Sequence, residues 1–142
     1  MYDNNALING KFLHNLNGWT PSAGVTYSAG DGDGNYGVAV LPVGGSIWQE
    51  FSVDEEALQS LHISVKAVGA SLSGSQATLV IKDSYDNTVI TQNLSGTADT
   101  WTENLYSVGI SEGTTYRITI TNNSAAGDIK IDDVWIWFIP IT

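Results

Sequence analysis

Few side chains in this sequence are of the types that perform acid–base or nucleophilic chemistry. Cysteine is absent, and His14 and His62 are the two histidines. No nucleophile elbow, zinc-binding helix or phosphate loop occurs. The acidic run 54–56 falls on one exposed turn, whereas a glycosidase needs two carboxylates across a cleft. The sequence therefore predicts a protein that binds without catalysis.

The aromatic side chains offer a different chemistry, because their flat faces can stack on sugar rings. Trp48 lies between Ile47 and Gln49 in an alternating stretch. If Ile47 points into a core, Trp48 points outward from a sheet face. The predicted glycan-binding residues are Trp48, Tyr36, Gln49 and Tyr85.

The last predicted strand is apolar on both sides. Trp135 and Trp137 lie two residues apart, which places them on the same side about 7 Å from each other. Val134, Ile136 and Phe138 occupy the opposite side. Two explanations remain open: a loop or the N-terminal segment covers this strand, or another protein chain does. The predicted protein-interface residues are Trp135, Trp137 and Phe138.

One segment places oxygen-bearing side chains at the spacing of a calcium loop. Asp31, Asp33 and Asn35 stand at alternate positions. An EF-hand needs Gly at position 6 and Glu at position 12, where this chain has Tyr36 and Pro42. A tight glycine-rich turn is therefore favoured over a metal site.

Composition excludes several classes of partner. The 142 residues suit one domain, and 5 basic against 15 acidic residues give a net charge of −10. Nucleic acids and anionic membranes are held by clustered basic side chains, which this chain lacks. There is no run of 18 apolar residues for a membrane helix and no cysteine for a disulfide. The N-terminal residues lack the basic and apolar regions of a secretory signal.

Hydrophobic alternation with a period of two residues runs through almost the whole chain and predicts short strands. Turns rich in Gly, Asn and Asp separate them at intervals of roughly 8–12 residues, as in a sandwich or jelly roll. Residues 54–58 are the one predicted helical patch. The predicted strands lie near 25–29, 38–43, 47–53, 61–67, 77–81, 89–94, 101–108, 116–120 and 129–138.

Six segments, in order, resemble carbohydrate-binding modules of families 4, 9, 16 and 22. They are 6–12, which contains Asn-Gly-Lys-Phe, and 16–19, 35–40, 47–51, 100–103 and 129–134. The resemblance implies a galactose-binding-like β-jelly roll of two antiparallel sheets, with non-catalytic glycan binding by aromatic residues on one sheet face. It also implies that Trp19 and Trp101 are structural.

The resemblance further bears on calcium. These modules often hold a structural calcium between an acidic residue after the Asn-Gly-x-Phe motif and one of the paired aspartates of the last strand. Leu13 stands at the first of these positions. Asp132 and Asp133 remain as possible calcium ligands. Because Leu13 cannot bind a cation, the sequence does not require a cofactor.

The sequence and the resemblance together predict two alternative functions. The first is an outward-facing virion protein, a capsid decoration protein of a tailed phage that contacts capsid or sister subunits and retains weak glycan affinity. It would explain an acidic, all-β, extracellular-style domain without an export signal, because virion proteins are released by lysis. The alternative is a module of a secreted glycoside hydrolase that binds β-glucan, xylan or mannan.

Overall fold

The protein is an all-β sandwich in a computed structural model that describes residues 5–30, 37–52, 59–69, 77–95, 101–110, 115–125 and 127–140. No helix occurs in these residues, and hence none that could cross a membrane. Their strands are β1 (Thr20–Pro21), β2 (Thr26–Ser28), β3 (Val38–Leu41), β4 (Ser46–Ser52), β5 (Gln59–Gly69), β6 (Ala77–Asp83), β7 (Thr88–Asn93), β8 (Thr102–Ile110), β9 (Thr115–Asn122) and β10 (Ile129–Pro140).

The strands form two five-stranded sheets, and every pairing is antiparallel. Sheet A has the order β1-β4-β9-β6-β7, and sheet B has the order β2-β3-β10-β5-β8. Strands that are neighbours in sequence are often separated in space, as in a jelly roll. The predicted fold class is therefore confirmed.

The core lies between the sheets and follows directly from the two-residue alternation. In β9, for example, Ile118 and Ile120 are fully buried, whereas Arg117 is exposed. Each such aliphatic side chain stabilises the fold by roughly 1.5–3 kcal/mol relative to an exposed one. The largest fully buried side chains are Phe12, Leu41, Ile47, Leu61, Ile63, Leu79, Ile81, Leu94, Ile118, Ile120, Ile131 and Ile136.

Strand β10 has two successive neighbours on one of its edges. Its first residues, 129–131, pair with β3, and its register on β5 then shifts between Asp132 and Trp135. From that bulge onward the edge pairs with residues 5–10, here called the N-terminal arm. Val134 N, within the bulge, donates to Gly10 O (2.9 Å), and Ala6 N donates to Ile136 O (2.8 Å). The arm therefore replaces β3 at the edge of β10.

The side chain of Asn5 extends this pairing by imitating a peptide group. Its Nδ2 donates to Val134 O (2.8 Å), and its Oδ1 accepts from Ile136 N (2.9 Å). The resemblance implied a strand over residues 6–12, but the structure has turns there, with Asn9 and Phe12 at φ of 53° and 48°. The hydrogen bonds come from a side chain and from isolated backbone groups, which a strand pattern does not reveal.

Three further local features are Trp19, strand β1 and the predicted helical patch. Trp19 is buried against Phe12, with ring centroids 5.5 Å apart, and its Nε1 donates to Asn9 O (3.0 Å), as a structural residue would. The short edge strand β1 was not predicted, because Pro21 argues against strand structure except at an edge. The predicted helical patch at 54–58 lies outside the described residues.

Replacing Gly10 with alanine should destabilise the arm. An added Cβ would overlap Val134 O, to which the arm is bonded, and neither backbone can move without breaking that pairing. We expect the free energy of unfolding, measured with urea, to fall by about 3 kcal/mol. Gly109→Ala is the control: a Cβ there meets nothing within 4 Å, so a change of about 0.5 kcal/mol or less is expected. Equal effects of the two substitutions would contradict this role of the arm.

Candidate functional site

The outward side of sheet A, called face A, brings together a tryptophan, two cations and several hydroxyl groups. Cross-strand register fixes their places: Trp48 lies opposite Thr119, which lies opposite Val80. The next row is Glu50, Arg117 and Lys82. Neighbouring strands are about 4.8 Å apart, so each row spans three strands within about 10 Å.

Arg117 and Trp48 form the closest contact on face A. The guanidinium carbon Cζ lies 3.8 Å from the centroid of the indole ring, in the geometry of a cation–π interaction. Nη2 of Arg117 is also 3.5 Å from Oε2 of Glu50, in a pair whose two side chains are about half exposed. Arg117 is thus held by a ring and a carboxylate of β4.

A depression of about 460 Å³ lies over the row of Glu50, Arg117 and Lys82 and reaches Thr119, the cross-strand neighbour of Trp48; its volume is within the size range of small-ligand sites. The turn between β6 and β7 forms one wall. In it, Asp83 Oδ1 accepts from Tyr85 N and Asn87 N, both at 2.9 Å, and Lys82 Nζ lies 3.4 Å from Asp86 Oδ1. The depression is lined by Glu50, Val80, Lys82, Asp83, Ser84, Asp86, Thr115, Tyr116, Arg117 and Thr119.

Hydrogen bonds from the turn hold the pKa of Asp83 below its ordinary value of 3.8, chiefly the backbone N–H of Asn87. A depressed pKa in the folded state adds stability above pH 3.8 that is lost as the pH falls through the folded-state value. We expect Asp83→Asn, whose amide oxygen can still accept both bonds, to remove this part of the acid dependence. Unfolding free energies measured with urea from pH 6 to pH 2 should therefore fall less steeply in the variant. Identical pH profiles would contradict the assignment.

The predicted glycan-binding residues take different positions. Ile47 is buried and Trp48 points outward, as the alternation indicated. Tyr85 is 80% exposed at the tip of the turn that walls the depression. Tyr36 lies outside the described residues.

Gln49 does not belong to face A. It is 6% exposed and points inward, where Oε1 accepts from Ile8 N (2.7 Å) and Nε2 donates to Ile8 O (2.9 Å). Its amide therefore fastens the N-terminal arm to β4 and is not available to a ligand. The same alternation that places Trp48 outside requires its neighbour to face inward.

Gln49→Ala should therefore affect stability. It removes two part-buried hydrogen bonds to the backbone of Ile8, each of which contributes about 0.5–1.5 kcal/mol. A chemical-denaturation midpoint measured by tryptophan fluorescence would report the loss. Ser52→Ala, an outward and exposed position of the same strand, is the control and should change little. An unchanged midpoint for Gln49→Ala would contradict the role of this amide.

Sequence reasoning missed Arg117, Lys82 and Thr119. Each is outward in an alternating strand, but their proximity to Trp48 depends on β9 lying between β4 and β6. These strands are far apart in sequence, so composition and periodicity carry no signal for it. The outward direction of all three was foreseeable from their alternation with buried aliphatic residues.

The outward side of sheet B, called face B, carries the predicted protein-interface residues. Trp135, Trp137 and Ile139 point outward from β10, and Trp137 is stacked on His62 of β5 with centroids 5.4 Å apart. Leu105 of β8 is 62% exposed beside them, at a depression of about 240 Å³ lined by His62, Leu105, Tyr106, Ser107 and Trp137. The N-terminal arm pairs with the edge of β10, and both tryptophans remain partly exposed.

Phe138 is partly buried and does not lie on face B, and its role as an interface residue stays a prediction. It has the parity of Val134 and Ile136 and packs against the core, with its ring centroid 6.3 Å from that of Phe51.

The paired aspartates of β10 both have partners within the protein. The carboxylate of Asp133 lies 3.5 Å from Lys11 Nζ and 3.3 Å from Lys66 Nζ, so ammonium groups occupy its surroundings. Asp132 is 1% exposed, and its Oδ1 accepts from the N–H of Asp133 (2.8 Å). Across the described residues, no three His, Cys, Asp or Glu side chains cluster as metal ligands. Asp31, Asp33 and Asn35 lie outside those residues.

Comparison with solved structures identifies the fold. A family 16 carbohydrate-binding module is 14% identical, with 94% of this chain and 99% of that chain covered and a TM-score of 0.72. The CBM22-1 xylan-binding domain of Paenibacillus barcinonensis Xyn10C is 13% identical over 94% of each chain, with a TM-score of 0.66. The chain therefore has the galactose-binding-like jelly-roll fold of carbohydrate-binding modules, as the resemblance implied.

The same fold also occurs in a different functional class. A Stig cyclase, Fisc from Fischerella sp. TAU, is 13% identical over 97% of this chain and 98% of its own, with a TM-score of 0.72. No family model matches the sequence, and no curated protein matches it. The side chains on the two faces, rather than the fold, therefore bear on the function.

Proposed function

We propose that the protein is a non-catalytic carbohydrate-binding module whose site is face A. The observation that carries this proposal is the outward Trp48 beside a depression lined with hydroxyl, carboxylate and cationic groups. An indole ring supplies an apolar surface for the C–H face of a pyranose, and the polar side chains supply partners for its hydroxyls. The fold shared with carbohydrate-binding modules supports the proposal.

The charges of face A favour a neutral polysaccharide. The cations Arg117 and Lys82 are each paired with a carboxylate, Glu50 and Asp86 respectively. Asp83 adds a further negative charge, and the whole chain carries −10. An anionic glycan would approach against this field, whereas β-glucan, xylan or mannan would not.

Trp48→Ala should weaken binding to the preferred neutral polysaccharide at least about tenfold, because a truncated central aromatic side chain loses both its contact area and its stacking. Affinity electrophoresis in gels that contain barley β-glucan, xylan or galactomannan would measure it. Trp135→Ala, a tryptophan of face B, is the matched control and should migrate like the parent protein. Equal retention of the two variants, or no retention of the parent in any gel, would contradict the proposal.

Face B favours a second candidate function, that of a virion structural protein attached to capsid or sister subunits. Its partly exposed Trp135 and Trp137, together with Leu105 and Ile139, form an apolar surface of the kind that marks protein contacts. Under this proposal the protein acts on a phage surface; under the first it acts outside the cell beside a glycoside hydrolase. Recovery of the protein with purified phage particles, and its loss from them on Trp137→Glu, would support the virion role. Absence from the particles would exclude it.

A further inference from the structure

Arg117 covers one face of the Trp48 ring, on which a sugar would stack under the proposed function. With its Cζ 3.8 Å from the centroid of Trp48, the guanidinium occupies the space in which a stacked pyranose would lie on that ring face. We infer that Arg117 is an affinity-determining residue of face A that has to leave Trp48 before a glycan can stack there. This inference rests on the proposed function.

Neighbouring charges explain why Arg117 leans toward Trp48. Lys82 lies directly opposite Arg117 on β6, and like charges in cross-strand pairs repel. Glu50 lies directly opposite on the other side, on β4, and attracts it. The only arginine in the chain is thus directed to the strand that bears Trp48.

The same arrangement gives Arg117 a place to go. Glu50 is its cross-strand partner, so the guanidinium can leave the indole ring and keep its ion pair, 3.5 Å long in the resting arrangement. The Arg117 side chain is about half exposed, so part of it already faces solvent. Displacement of Arg117 therefore loses mainly its cation–π contact with Trp48. An exposed contact of that kind changes a binding constant about two- to fivefold.

Because Arg117 and a glycan compete for the same face of Trp48, removal of the Arg117 guanidinium should tighten glycan binding. Arg117→Thr suits β9, whose other outward residues are threonines at 115, 119 and 121. Isothermal titration with an oligosaccharide of the retained polysaccharide should show a Kd about two- to fivefold lower than that of the parent. Lys130→Thr is the matched control: it removes one positive charge from an outward position of β10 in sheet B, and its Kd should equal that of the parent.

The possible outcomes separate the two proposals. If the parent binds and Arg117→Thr binds with equal or weaker affinity, Arg117 is a neutral neighbour or a ligand contact, and this inference is overturned while the proposed function stands. If both substitutions tighten binding equally, net charge is the cause, and the inference also fails. If neither the parent nor Arg117→Thr binds any neutral glycan, both proposals fall together.

Discussion

The register of β4 against β9 is the constraint on which face A depends. A strand has a side-chain period of two, so a slip of one residue would bury Trp48 and expose Gln49. The hydrogen bonds between the Gln49 amide and the backbone of Ile8 oppose that slip, since an outward Gln49 would lose both of them. A buried polar side chain thereby favours the register in which the Trp48 ring faces outward.

The N-terminal arm also depends on the register of β4, because Gln49 of that strand binds its backbone. It is fastened to β4 in sheet A through Ile8 and Gln49, and to β10 in sheet B through Asn5, Ala6 and Gly10. It therefore connects the two sheets at one end of the sandwich. Pairing with the arm satisfies backbone groups of β10 from its bulge onward, where β3 no longer accompanies it.

Much of the fold followed from the sequence because alternation is a local property. The strand from Ser46 to Ser52 and the strand from Ile129 to Pro140 were expected within a few residues, and so was the outward direction of Trp48. The two opposed sides of β10 were also expected from parity, but which of them faced the core was not. That choice depends on the partner sheet and is therefore non-local.

The site could be predicted only in part for the same reason. Arg117 meets Trp48 because β9 is inserted between β4 and β6, an ordering that no local pattern contains. Lys11 and Lys66 likewise meet Asp133 from two distant segments. The resemblance to carbohydrate-binding modules predicted the fold. Which charged side chains lie next to each other depends on the strand order, which the sequence did not show.

The claim that face A is a glycan site is tested most directly by an NMR titration of the isotopically labelled protein. The titrant is a soluble oligosaccharide of a neutral β-glucan, xylan or mannan. If face A binds glycans, the resonances of the Trp48 indole N–H and of the Val80 and Thr119 amides will shift, while the indole N–H resonances of Trp135 and Trp137 will not. Shifts confined to the tryptophans of face B, or no shift with any of these sugars, would contradict the claim.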